Sequence, residues 1–182
     1  MGKNINLITK NIVNICEKLS IQYAVLSPGS RSAPLALAII RNKNIKHFVI
    51  NDERSAAYTA LGIAKRTNQT VVLVCTSGTA ALNYSPAIAE ANNQCIPLLV
   101  LTADRPVEWI DQGENQSIRQ ENLFEPNVRA SYQINISYPD LEAEKEGSRI
   151  ISEAIHKCKF PYPGPIHVNI PLREPLYEDI QS

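Results

Sequence analysis

The sequence has no excess of charge of either sign: eighteen Lys and Arg balance eighteen Asp and Glu, for a formal net charge of +0. That excludes the long-range positive field with which proteins gather nucleic acid or anionic membranes. An anion bound here must be gripped by local arginines. Cys-x-x-Cys pairs are also missing, and the four cysteines and three histidines show no metal-ligand spacing. Cys16, Cys75, Cys95 and Cys158 each lie in or beside an apolar run, so buried free thiols are expected. No segment approaches the ~20 apolar residues that span a bilayer. The first residues, Met1 to Asn6, lack the apolar stretch of a signal peptide. A cytoplasmic protein is the expectation. Neither nucleotide signature, G-x-x-x-x-G-K-[ST] or G-x-G-x-x-G, occurs. Asn-Gly and Asp-Gly are absent too, which argues against antiparallel hairpins.

What remains is a chain of 182 residues, 44% hydrophobic, suited to one domain with a substantial core. Ile5, Ile8, Ile12, Ile15, Cys16 and Leu19 recur at helical spacing and predict an amphipathic first helix. Short apolar strands are expected at Tyr23 to Ser27, His47 to Ile50, Val71 to Cys75 and Pro97 to Leu101. Helices are expected between them, one from Ser32 as cap, one from Glu53 to Lys65, and one from about Thr79 to Ala91. Val71-Val72-Leu73-Val74-Cys75 is nearly all apolar, as in strands buried on both faces of a parallel sheet. Val107 to Asn127 has no clear period, and a long irregular stretch inside a compact domain is usually functional. A strand near Tyr132 to Ile136, a helix carrying Gly147, Ile150, Ile151, Ala154, Ile155 and Cys158 on one face, and a strand from Pro165 to Ile170 complete the pattern. The fold class is α/β, a three-layer open parallel sheet flanked by helices.

Four junctions carry the chemistry: Ser27-Pro28-Gly29-Ser30-Arg31, Asn51-Asp52-Glu53-Arg54, Cys75-Thr76-Ser77-Gly78-Thr79 and Thr102-Ala103-Asp104-Arg105-Pro106. Each follows a strand, and in an open parallel sheet the carboxyl ends of the strands share one edge, where ligands bind. Glu53 opens a helix at that edge. Its plainer role is to complement the helix dipole beside the cap Asp52, worth ~0.3–1 kcal/mol. Its functional role is a carboxylate held in an apolar setting to exchange a proton, with the small Ser55-Ala56-Ala57 admitting a flat ligand. After Gly29, Ser30 and Arg31 suit an anion, since a guanidinium grips a carboxylate with two bonds. A solvated turn arginine is the equal alternative. Thr76 to Ala80 has the look of a phosphate-binding turn, though small residues beside a planar ligand account for it as well. Arg105 is fixed by Pro106, and its plain reading is a pairing with Asp104. Asn115, Gln116, Arg119 and Gln120 supply amides and a cation in the irregular stretch.

SPGSRSAPL, NDERSAAYTALGIAK, CTSGTAA, LTADRP and GENQSIRQ, in this order, resemble one family. It is the N-terminal pyrimidine-binding domain of the 2-succinyl-5-enolpyruvyl-6-hydroxy-3-cyclohexene-1-carboxylate synthases, thiamine-diphosphate enzymes of menaquinone biosynthesis. The resemblance runs from about Ile5 to Pro171. It implies a pyrimidine-domain fold and a transferase that decarboxylates 2-oxoglutarate and adds the succinyl unit to isochorismate. It also implies that Glu53 hydrogen-bonds a ring nitrogen of the cofactor's aminopyrimidine and so promotes loss of the thiazolium proton. Pro28, Gln116 and Thr76 would lie by the cofactor, and Ser30, Arg31, Arg105, Asn115 and Gln116 around the substrates. The family's GDG motif for Mg²⁺ and the diphosphate does not occur in this chain. Residues 1–182 are therefore expected to be a single pyrimidine-binding domain, with 172–182 beginning a linker to an absent remainder, either as a fragment or as half of a split enzyme. Such a domain is expected to be inactive alone and to belong to a homo-oligomer, a dimer or tetramer. Outside the resemblance, two readings stay open: a flavodoxin-like module that binds an anion or nucleotide through Thr76 to Ala80, and a noncatalytic assembly domain.

Overall fold

A computed structural model describes the backbone of residues 2–113, 115–134 and 141–176. In chain order the elements are α1 (Gly2–Lys18), β1 (Tyr23–Leu26), α2 (Ala33–Arg41), β2 (Lys46–Val49), α3 (Glu53–Thr67), β3 (Val71–Cys75), α4 (Thr79–Leu82), α5 (Ser85–Asn93), β4 (Leu98–Asp104), β5 (Ala130–Gln133), α6 (Leu141–Lys157) and β6 (Pro165–Pro171), with a 3-10 turn at Val107–Trp109. The strands form one six-stranded sheet in the order β2-β1-β3-β4-β6-β5, and every pairing is parallel. This is the open α/β sheet that the unbroken apolar strands predict.

The two faces of the sheet bury different sets of side chains, because successive residues of a strand point to opposite sides. Leu26, Val74, Leu101 and Val168 meet Ile12, Leu35 and Ile151 of α1, α2 and α6 on one face. Val25, Leu73, Val100 and Cys75 meet Ala57, Ala60, Ile88 and Ala91 of α3 and α5 on the other. The alanines of α3 bring that helix close against the sheet. Ala56 and Ala57 are fully buried in this packing. Their smallness therefore serves the helix–sheet contact and not the approach of a ligand, which corrects the expectation for Ala56 and Ala57, while Ser55 is exposed.

Several boundaries differ from the sequence reading for identifiable reasons. The helix expected from Thr79 to Ala91 is split at Asn83 and Tyr84. Pro86 lacks an N–H and its ring would strike the carbonyl of Leu82 in a continuous helix, so the chain restarts with Pro86 in the first turn of α5. β4 runs on to Asp104, beyond the expected Leu101, because β6 pairs with it along its whole length, from Leu98↔Pro165 to Asp104↔Pro171. Ser32 stands at the N-cap of α2 but makes no capping bond, and its hydroxyl donates to Gly29 O at 3.1 Å instead. Leu19 lies past the end of α1 and is exposed. Cys16, Cys75 and Cys158 are buried, with thiol pKa values pushed up by desolvation, that of Cys16 to about 12. Cys95 is exposed, since it follows α5 in a left-handed turn conformation with φ of 54°. β5 begins and ends earlier than expected, and residues 135 and 136 of the expected strand lie outside the described residues, as does the Ile5 side chain.

The last described segment does not leave the domain. Leu172 and Leu176 are buried in the cluster beneath α1, α2 and α6. Arg173 pairs with Glu108, and Arg31 holds Leu172 O at 3.0 Å. Residues 177–182 of the expected linker lie outside the described residues.

Candidate functional site

Chain order reverses at β1: β2 lies on one side of it and β3 on the other. A crevice at the carboxyl ends of such neighbours is where open α/β sheets bind ligands. The exits of β1 and β3 touch there. A Cβ on Gly29 would collide with the side chain of Thr76, so the glycine lets two loops meet and does not serve a ligand directly. Beneath them the buried Tyr84 hydroxyl donates to Val74 O at 2.9 Å and accepts from Ser27 Oγ at 2.9 Å, tying the two strand ends together. Burial pushes the Tyr84 hydroxyl far above its ordinary pKa.

Glu53 is the first residue of α3, and the cap is supplied by its neighbour: Asp52 Oδ1 accepts the Ser55 N–H at 2.7 Å. Helix capping therefore makes no use of Glu53. Its side chain is half-buried and has no hydrogen bond or ion pair with another described residue. Glu53 stands where α3 begins, just after the exit of β2 at the carboxyl edge of the sheet.

Arg105 reaches across to the other exits. Its Nη1 donates to Ser77 Oγ at 3.0 Å and its Nη2 to Asn115 O at 2.7 Å. The contact with Asp104 runs through the Arg105 backbone N–H, to Oδ1 at 2.7 Å, and not through a guanidinium–carboxylate fork. Arg31 is buried. It donates to Leu172 O and, at 3.2 Å, to Glu174, while its guanidinium lies 5.6 Å from the centre of the Trp109 ring. Ser30, Pro28, Asn115 and Gln116 are exposed along the same rim, and Thr76 is half-buried. Gln116 adopts φ of 51° and its carbonyl occupies the space that a Cβ on Gly78 would need. Gly78 has φ of 88° and ψ of −149°, a combination essentially confined to glycine.

All the expected site residues thus share the carboxyl edge of the sheet, but not one contact cluster. Neighbouring strands are spaced by about 4.8 Å, so the exits of β2 and β4, three places apart in the order, stand roughly 14 Å from each other. Glu53 belongs to the α3 side of the sheet, and Arg31 turns towards Leu172 on the opposite face. A ligand spanning the rim meets the carboxylate at one end and the Arg105 cluster at the other. A cleft of about 380 Å³ opens elsewhere, between Val107–Ile110 and Arg119–Asn122 with Gln133 on its wall, and Glu53 does not line it. The Gly78 N–H is taken by Gln120 Oε1 at 2.6 Å, and α4 is a single turn. The phosphate-cradle reading of Thr76 to Ala80 loses one backbone donor, the Gly78 N–H, by this contact.

Beneath the rim lies a buried polar network that the sequence reading missed. Asn169 of β6 makes four bonds: Nδ2 donates to Asp104 Oδ2 at 2.7 Å and to Gln133 Oε1 at 3.1 Å, while Oδ1 accepts from Thr102 Oγ1 at 2.8 Å and from Gln120 Nε2 at 3.0 Å. The single proton of Thr102 is committed to Asn169. Its oxygen must then accept from His167 Nε2 at 2.8 Å, which fixes the neutral Nε2–H tautomer and leaves Nδ1 to accept from Ser131 Oγ at 3.0 Å. The only signal in the chain was the alternation His167, Asn169 within β6, which puts both polar groups on one face. Desolvation raises the Asp104 pKa above the ordinary carboxylate range, opposed by its bonds to Asn169 and the Arg105 N–H.

Burial lowers the His167 pKa from 6.5 to about 3. The folded protein therefore resists protonating a ring that the unfolded chain protonates readily. The fold is expected to keep full stability from this group above pH ~6.5 and to lose it progressively towards pH ~3, by about 3–5 kcal/mol in all. Urea unfolding followed across that range checks this. His167→Gln should flatten the pH dependence, and an unchanged slope would contradict the assignment.

Among the described residues no helix is long and apolar enough to cross a membrane. Residues 8–123 match the family of thiamine pyrophosphate enzyme N-terminal TPP-binding domains. Of the curated relatives, the 2-succinyl-5-enolpyruvyl-6-hydroxy-3-cyclohexene-1-carboxylate synthase of Cytophaga hutchinsonii is 47% identical over 92% of this chain and 30% of its own length. The synthases of the same name from Christiangramia forsetii and Staphylococcus aureus are 39% and 41% identical, over 96% and 100% of this chain and 32% and 33% of theirs. The chain spans about a third of the length of the curated relatives it matches.

Proposed function

The chain belongs to the thiamine pyrophosphate enzyme N-terminal TPP-binding domain family, and from that premise we propose that it is the cofactor- and substrate-binding part of a 2-succinyl-5-enolpyruvyl-6-hydroxy-3-cyclohexene-1-carboxylate synthase. The reaction is decarboxylation of 2-oxoglutarate followed by transfer of the succinyl unit to isochorismate, in the cytoplasm. The observation that carries this reading is Glu53, a half-buried carboxylate relieved of capping by Asp52 and left without an ion pair among the described residues, on the edge that also bears Arg105 and Gln116. Such a group suits a ring nitrogen of an aminopyrimidine, with Pro28, Thr76 and Gln116 as the neighbouring walls. When bound, thiamine diphosphate supplies the electron sink for decarboxylation.

This chain's own residues bind and orient. Glu53 shares or yields a proton at its carboxyl oxygen. Arg105, braced by Ser77 and Asn115, offers its guanidinium to a substrate carboxylate, and Ser30, Asn115 and Gln116 offer polar groups beside it. Arg31 contributes through a guanidinium already oriented by Leu172 O and Trp109, so a substrate carboxylate would have to replace Glu174 there. Mg²⁺ and the diphosphate belong to a part of the enzyme outside this domain. Exposed apolar residues such as Tyr58 of α3 and Leu82 of α4 suit burial in a homodimer or tetramer.

The test is release of carbon dioxide from 2-oxoglutarate, and of the succinyl adduct with isochorismate, by an enzyme of the relatives' full length that carries this chain at its N-terminus. No release with thiamine diphosphate and Mg²⁺ present would refute the assignment. The chain alone is expected to hold only the ring half of the cofactor. Calorimetry should accordingly find neither tight binding nor turnover, and binding in the micromolar range with Mg²⁺ would contradict that.

A further inference from the structure

Gln120 differs from the other amides of the irregular stretch. Arg119 and Glu121 on either side are exposed, whereas Gln120 is completely buried. Its Oε1 accepts the Gly78 N–H at 2.6 Å, and its Nε2 donates to Ala103 O at 3.1 Å and to Asn169 Oδ1 at 3.0 Å. One side chain therefore joins the turn after β3, the end of β4 and the polar face of β6. Both amide protons are used. Each of the three partners is itself buried, so losing the amide takes the acceptor from the Gly78 N–H and a donor from Ala103 O and from Asn169 Oδ1, which keeps its bond from Thr102.

The turn so held is the one against which the site residues stand. Gln116 packs its carbonyl on Gly78, and Arg105 donates to the hydroxyl of Ser77 next door. We propose that Gln120 is the positioning residue of the rim: its amide fixes the Thr76–Gly78 turn against the Arg105 exit and so sets where Arg105 and Gln116 stand towards substrate. The inference rests on the reading of those two residues as substrate-side groups. Gln120 itself touches no reactant.

A glutamate at this position separates positioning from bulk. It has the same shape as glutamine. Protonated, it keeps a carbonyl for Gly78 N–H and an O–H to donate to Asn169 Oδ1. Ionised, it has no proton to give and faces two acceptors, Ala103 O and Asn169 Oδ1. Burial and these neighbours disfavour the charged form and raise its pKa, so the variant works below that pKa and fails above it.

The experiment measures kcat and KM across pH, well below the unfolding temperature, in the full-length enzyme carrying this chain. Wild type is compared with Gln120→Ala, Gln120→Glu and Ile155→Val, the last a control for lost stability in the core under α6. Gln120→Ala should lower kcat/KM by about 10- to 100-fold, the scale of a misplaced site, while Ile155→Val leaves it unchanged. Gln120→Glu should approach wild type at the acid end and fall to the alanine level at the alkaline end. Wild-type kcat/KM in Gln120→Ala, or a Gln120→Glu profile parallel to that of wild type, would overturn the proposal. Amide hydrogen exchange of Gly78 in the 182-residue chain needs no activity. It should quicken in Gln120→Ala, and unchanged exchange overturns the clamp even where the wild-type enzyme proves to have another reaction.

Discussion

Glu53→Gln is expected to lower the rate of 2-oxoglutarate decarboxylation by about 10²- to 10⁴-fold, the contribution of a positioned proton-exchanging group, while the melting temperature of the domain stays near that of wild type. The two halves of this expectation come from neighbouring residues. Asp52 caps α3 through Ser55 N–H, so the Glu53 carboxylate serves the helix only through its dipole, worth ~0.3–1 kcal/mol. The carboxylate itself has no hydrogen bond or ion pair among the described residues, so its removal orphans no partner there. Glutamine keeps the size and a hydrogen bond but cannot carry the charge. Steady-state release of carbon dioxide and a thermal melt of the same preparation give both numbers. A melt lowered together with the rate would return Glu53 to a structural role.

Asn169→Leu should have the largest effect on stability, a loss of about 3–5 kcal/mol in unfolding free energy. Asn169 is fully buried and makes four hydrogen bonds, one of them to the buried carboxyl of Asp104. Leucine keeps the branched shape and the number of heavy atoms, and provides no donor or acceptor. Asp104 Oδ2 and Gln133 Oε1 lose a donor, and Thr102 and Gln120 lose an acceptor. Urea denaturation of the chain measures this. A loss below about 1 kcal/mol, the scale of a single ordinary hydrogen bond, would mean that the network is dispensable.

The parts of this molecule that the sequence disclosed are those written locally. Val71 to Cys75 reads as a strand buried on both faces and is one, with the same bounds. Asp52 reads as a cap and accepts the Ser55 N–H. The carboxyl-edge grouping of Glu53, Arg31 and Arg105 follows from parallel pairing alone. What stayed hidden depends on partners distant in the chain. Asn169 meets Asp104 across 65 positions and Gln120 across 49, and in a seven-residue strand such a residue is indistinguishable from one facing solvent. Arg31 reads as a free clamp because Leu172 and Glu174 lie more than a hundred residues away. The small residues after Glu53 mislead for the same reason, since Ala56 and Ala57 meet strands that their own neighbourhood does not reveal.

The proposed role of the Glu53 carboxylate at the cofactor's aminopyrimidine is tested most directly by exchange of the bound cofactor's thiazolium proton in heavy water, quenched in acid and counted by proton NMR. Wild-type enzyme carrying this chain should exchange it faster than Glu53→Gln by about 10²-fold or more. Equal exchange rates in the two proteins, with equal cofactor occupancy, would contradict it.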